Sequence, residues 1–118
     1  MITFELPWPE AALSQNTRGH WAMHAPRRKK ARAVAKRVCA AALRNGKLRL
    51  APGHSLHVSL VFHPPELKRR RDLQNLIGSM KYGVDGIADA VKIDDSLFEL
   101  SFGWGVPVDD GLVRVTLS

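Results

Sequence analysis

The sequence predicts a single α+β domain spanning residues 1–118, a mixed β-sheet with two main helices in the order β-α-β-α-β-β. Four short segments alternate apolar and polar residues with a period of two, and two longer segments repeat apolar residues at spacings of three and four. At 118 residues, with 45% hydrophobic and 25% charged side chains, the chain has the size and balance of one domain around one core.

Each element follows from its own pattern. Ile2, Phe4 and Leu6 alternate with Thr3 and Glu5 in a first strand that Pro7 and Pro9 end. Residues 10–26 read as an irregular connection, punctuated by Gly19 and Pro26 and longer than a structureless loop usually is. From Arg27 to Asn45, Ala31, Val34, Val38 and Ala41 or Ala42 form a narrow, Ala-rich helical stripe that Gly46 ends. Leu56, Val58, Leu60 and Phe62 alternate with His57, Ser59 and Val61 in a half-buried strand closed by Pro64 and Pro65. A second helix over 73–91 has an apolar face of Leu73, Leu76, Ile77, Met80, Val84, Ile87, Ala88 and Val91. Gln74, Gly78, Lys81, Asp85 and Asp89 lie on the other. Two further strands, Leu97–Trp104 and Leu112–Leu117, flank a turn at Asp109-Asp110-Gly111.

Charge divides the chain. Residues 27–46 hold eight Lys or Arg and no acid, and residues 47–71 hold six bases against Glu66. Residues 72–118 reverse the balance, with three bases against eight acids. The basic half suits a polyanion, because lysine and arginine neutralise phosphates and release counterions. A solvated basic helix accounts for the same charge, and neither reading explains the acidic half. No apolar stretch is long enough to span a bilayer and the N-terminus lacks a secretory pattern, which points to a cytosolic (cytoplasmic) protein without a membrane partner. Cys39, alone, forms neither an intramolecular disulfide nor a multi-cysteine zinc site and is expected to pack in the first helix.

One constellation carries chemistry. Lys68-Arg69-Arg70-Arg71 runs directly into Asp72-Leu73-Gln74-Asn75 at a helix start, and Asp94-Asp95 follows that helix just before a strand. Carboxylate oxygens suit a hard cation such as magnesium, which takes one or two protein carboxylates and fills its sphere with water and phosphate. Aspartates beside phosphate-binding arginines are what metal-assisted phosphodiester cleavage needs. Each piece also has a plainer account: Asp72 suits a helix N-cap, Asp94 and Asp95 suit a turn, and an arginine run suits a solvated loop.

Leu6-Pro7-Trp8-Pro9, the string from His63-x-Pro65 through Arg69-Arg70-Arg71-Asp72-x-x-Asn75-Leu76, and Asp94-Asp95 together resemble the RusA-type Holliday junction resolvases. These are small, dimeric, magnesium-dependent endonucleases of bacteria and prophages. The resemblance implies a homodimer that resolves four-way DNA junctions in recombination and repair, with magnesium (or manganese) as cofactor. It puts Asp72 and Asp95 on metal-binding positions, with Asp94 beside them. Arg69, Arg70, Arg71 and Lys68 would grip phosphates together with Arg27, Arg28, Lys29 and Lys30 of the basic helix. Two positions depart from the pattern. The family's Asp-x-Asp-Asn has Gln74 as its third residue here, and the family lysine three residues after Asn75 is Gly78. Lys81 restores the lysine with three extra residues, and Asp85 then falls on a recurrent family aspartate. Gln74 and Lys81 would be about 10.5 Å apart along a helix, against about 6 Å in the family spacing.

A branched-DNA-binding protein that does not cut is the competing reading, and Gln74 and Gly78 favour it. Trp8 and Trp21 have two readings, stacking on splayed bases or packing in the core. His20, His24, His54, His57 and His63 lack a regular ligand spacing and read as solvent-facing or hydrogen-bonding residues. No glycine-rich phosphate loop or nucleophile elbow is present.

Overall fold

Period-two alternation becomes a sheet with one oily face. The computed structural model of the protein describes residues 1–10, 13, 21–46, 48, 55–66 and 73–118. Its strands are β1 (Ile2–Pro7), β2 (Leu56–His63), β3 (Phe98–Trp104) and β4 (Leu112–Leu117), and its helices are α1 (Ala25–Asn45), α2 (Leu73–Ser79) and α3 (Lys81–Val91). Short 3-10 turns at Trp21–His24 and Asp95–Leu97 precede α1 and β3. The sheet runs β1-β4-β2-β3. β4 pairs antiparallel with β1 and β2, whereas β2 and β3 are parallel and are joined by the crossover through α2 and α3. This is the expected mixed α+β architecture.

The inner face presents Ile2, Phe4 and Leu6 from β1, Leu56, Val58, Leu60 and Phe62 from β2, and Val113, Val115 and Leu117 from β4, all buried. Ala35 and Cys39 of α1, with Met80, Val84 and Ile87 of the second helical segment, close over them. Burial of each large apolar side chain contributes roughly 1.5–3 kcal/mol, so this layer contact outweighs any surface ion pair in holding the fold. Burial also pushes the Cys39 thiol up to about 11.

Three local features differ from the sequence expectation. Pro26 does not precede α1 but lies in its first turn, where a missing N–H costs nothing and the fixed φ suits a helix. Gly46 does end α1, but in extended conformation (φ −131°, ψ 175°) rather than in a left-handed cap. The helix over 73–91 is interrupted at Met80, whose N–H is shared between the carbonyls of Leu76 and Ile77 (both 3.1 Å). Just before the break, the Ser79 hydroxyl donates back to the Asn75 carbonyl (2.8 Å), a bond that competes with the helical ladder and bends helices.

α1 and α3 approach closely because their contact is built from small residues. A Cβ added at Gly86 would lie 2.8 Å from the Ala35 Cβ and 2.9 Å from the Lys36 nitrogen. The surface of α1 that lets the two backbones meet is thus centred on Ala35, and the fully buried residues of α1 are Ala35 and Cys39, neither of which belongs to the expected stripe of Ala31, Val34, Val38 and Ala41 or Ala42.

Candidate nucleic-acid interface and acidic cleft

At the end of α3 the chain makes a tight exit. Lys92 takes a left-handed cap (φ 59°) and donates its N–H to the Ala88 carbonyl (2.9 Å). Asp94 then caps the following turn by accepting the Ser96 N–H (2.9 Å), the turn role its position suggested. An open cleft at the seam between α1 and α3 is lined by Arg32, Asp85, Asp89, Lys92, Asp94 and Asp95. Inside it the acids are inequivalent. The Ser96 N–H lowers the Asp94 carboxyl. The hydrogen bond to Asp94, followed by desolvation and the charges of Asp94 and Asp85, raises the Asp95 carboxyl. Arg32 holds Asp89 through two hydrogen bonds (2.7 and 2.9 Å), which lower the Asp89 carboxyl and raise the guanidinium.

The donors fit a hard cation in kind, since the adjacent carboxylates Asp94 and Asp95 match the one or two that magnesium takes before water and phosphate complete its sphere. Among the described residues, no group of three or more His, Cys, Asp or Glu gathers as a metal site.

Lys68, Arg69, Arg70, Arg71 and Asp72 lie outside the described residues. Gln74, exposed, and Asn75, half-buried, are in the first turn of α2. The 19 residues from Leu73 to Val91 correspond to about 28 Å of helical rise, and helical hydrogen bonding continues through the break from Val84 N–H to the Met80 carbonyl (2.9 Å). Because β3 runs parallel to β2, with Phe98 beside Leu56, Asp94 and Asp95 stand at the end of the sheet where β2 begins. The segment leading to α2 leaves from the opposite end. Within one chain the cleft therefore brings Asp85 to Asp94 and Asp95 and includes neither Gln74 nor Lys81, which is exposed at the start of α3.

The cations of α1 divide into two groups. Arg28 lies with its guanidinium 5.6 Å from the centre of the Tyr82 ring, a cation–π contact within the fold, and Arg32 is engaged with Asp89. Arg27, exposed, stands 3.7 Å from Glu10 in a loose pair, and Lys29, Lys30, Lys36 and Arg37 point outward. The sequence reading missed Tyr82, Asp89 and Glu10 because their partners are distant in sequence. Of the histidines, His63 is buried and its Nδ1 donates to the Val106 carbonyl (2.9 Å), while His57 is hydrogen-bonded to Ser101 (3.0 Å). His20 and His54 lie outside the described residues.

The edge strand β3 is unusual. Phe98, Leu100, Phe102 and Trp104 share the face of the buried β2 residues, yet Leu100 is 45% exposed, and Leu97 and Val106 at its two ends are 55% and 71% exposed. β3 carries no lysine or proline, the residues that usually discourage pairing at a sheet edge. Among the described residues, no helix is long and apolar enough to cross a membrane.

No family model matches the chain. It is similar to an uncharacterized protein of Xylella fastidiosa, 37% identical over 98 residues that make up 83% of this chain and 63% of that protein, so the chain spans less than two thirds of that relative's length.

Proposed function

We propose that the chain is one subunit of a magnesium-dependent endonuclease that resolves four-way DNA junctions, the activity of the RusA-type resolvases that its sequence resembles. The observation that carries this reading is the cleft at the α1–α3 seam that gathers Asp85, Asp94 and Asp95, in a chain whose first helix also carries the exposed cations Arg27, Lys29, Lys30, Lys36 and Arg37. Arg27, Lys29 and Lys30 hold the DNA backbone. Asp94 and Asp95 hold magnesium, or manganese, which when bound supplies Lewis acidity toward the phosphate. Arg69–Arg71 and Asp72 complete the site by resemblance, and Lys81 offsets developing charge. Such a protein works at the nucleoid.

A homodimer is part of the proposal. Antiparallel pairing of β3 with its copy, centred on Ser101, sets Leu100 opposite Phe102 and Glu99 opposite Gly103, so apolar rows meet and like charges do not. It also carries the acidic pair of one copy toward the end of the sheet where α2 begins in the other. The separation of Gln74 from Asp95 within one chain is then no obstacle to a shared site.

The second reading, a branched-DNA-binding protein that does not cut, is favoured by the neutral Gln74. A labelled four-way junction incubated with and without magnesium, followed by native and denaturing gels, separates the two. Symmetric magnesium-dependent cuts are expected; binding without cuts supports the second reading, and no preference for the junction over linear duplex removes both.

A further inference from the structure

Between the end of β1, the first three turns of α1 and the α2–α3 joint lies an apolar cavity of about 220 Å³. Leu6, Leu13, Val34 and Met80 form much of its wall, and it stays open because Ala31 and Gly83 are small. A cavity of roughly 150 Å³ already takes benzene, so this one has room for a six-membered ring with substituents. Trp8 lines it, held edge-on against Phe62 (ring centres 6.2 Å apart). Arg27 and Lys30 of α1 and Glu10 supply its charged lining.

We infer that this cavity receives an unpaired nucleobase, of pyrimidine size, whose flanking phosphates rest on Arg27 and Lys30. The inference rests on the DNA reading above and adds to it a place for a base that leaves the stack. Three observations favour a nucleotide over another apolar anion. The cations do not stop at the cavity but continue along the same face of α1 to Arg37, with Lys29 and Lys36 on the adjoining exposed face, which suits a chain of phosphates rather than one headgroup. Among the described residues Arg27 is held by an exposed 3.7 Å pair with Glu10, which a phosphate can replace at little cost. Trp8 offers an aromatic surface to stack on. Away from those charges the polar side-chain groups among the described lining residues are the Ser79 hydroxyl, whose hydrogen is already donated to Asn75, and the Trp8 indole N–H, with the Met80 thioether a weak acceptor. The cavity therefore takes a base chiefly by its faces and offers few groups to read its edge, so binding is largely tolerant of sequence.

The test compares two fluorescent DNA duplexes of equal charge, one with a single bulged thymidine and one with an abasic residue in the bulge, by anisotropy at low salt. The thymidine bulge should bind about tenfold more tightly, within the range set by base–aromatic stacking. Ala31→Leu, which fills the cavity with a good helix former, should reduce that ratio to about one while leaving affinity for the abasic DNA unchanged. Trp8→Ala should do the same and serves if Ala31→Leu fails to fold. Equal binding of the two DNAs by the wild type overturns the inference and leaves the DNA reading standing. Binding of neither overturns both. Loss of the thymidine preference to laurate at unchanged affinity for abasic DNA supports a single shared cavity, whereas laurate binding with no thymidine preference assigns the cavity to amphipathic anions and overturns the inference.

Discussion

Arg32 on α1 grips Asp89 on α3 with both arms of its guanidinium, and this bidentate pair ties together the two helices that cover the sheet. The pair fixes where the seam opens and withdraws one arginine from the cations available to DNA.

The first prediction concerns that tie. Arg32→Ala should lower Tm by about 2 to 5 °C, a modest effect because Arg32 is half-exposed and Asp89 partly exposed to screening solvent. Arg32→Lys should restore only part of it, since lysine cannot bond in parallel. The Asp89 carboxyl is lowered in the folded protein, so its contribution is present above the ordinary carboxylate range and is lost as pH falls through and below that range. Thermal melts of wild type and Asp89→Asn should converge in acid; curves that stay parallel at every pH would contradict the assignment.

A second substitution tests the helix contact. On propensity alone Gly86→Ala should stabilise α3 by about 1 kcal/mol. The added methyl would instead press on the Ala35 Cβ and the Lys36 backbone. We expect net destabilisation of about 1 to 3 kcal/mol in urea unfolding, the usual cost of overpacking. A more stable variant would mean that the helices can move apart freely.

The carboxylates are predicted to separate binding from cutting. Asp95→Asn and Asp72→Asn should each abolish magnesium-dependent cleavage while leaving junction affinity the same or slightly higher, because a negative charge near phosphate is gone. If Asp72 served only as a helix cap, Asp72→Asn would be nearly silent. Gln74→Asp should lower the magnesium needed for half-maximal cutting. No change there in an otherwise active protein would direct attention to Asp85, which already lies in the cleft with Asp95.

Leu100→Lys places a charge in the apolar row of β3, where the side chain is already 45% exposed and folding should tolerate it. Light scattering should report a monomer, and cleavage should fall with it. A dimer that survives this change would mean that the copies meet elsewhere.

How much of this was legible in advance depends on range along the chain. The alternation in β2 and β4 and the acidic turn at Asp94 and Asp95 are local signals, and the structure has them where the pattern put them. The start of α1 was misplaced because Pro26 signals a break and a first helical turn equally well. The break at Met80 coincides with a hydroxyl bond from Ser79 to the Asn75 carbonyl, which periodicity does not register. Arg32 and Asp89 are 57 positions apart, and no spacing rule connects them. For the same reason the opposite placement of Gln74 and Asp95 emerged only once β2 and β3 were seen to be parallel.

The strand order also bears on how the chain reaches this state. β3 and β4 are consecutive yet separated by β2, and Ile2 finds its partner in Leu117. Among the described strands, no sheet neighbours are joined by a simple hairpin, so these four strands have no local nucleus from which to zip. Its assembly must first close long loops, whose entropy is lost before the pairing energy is gained. High contact order of this kind places folding toward the slower part of the microsecond-to-second range. During that interval the apolar faces of β2 and β4 are unprotected, which makes dilute, cool conditions the natural choice for refolding.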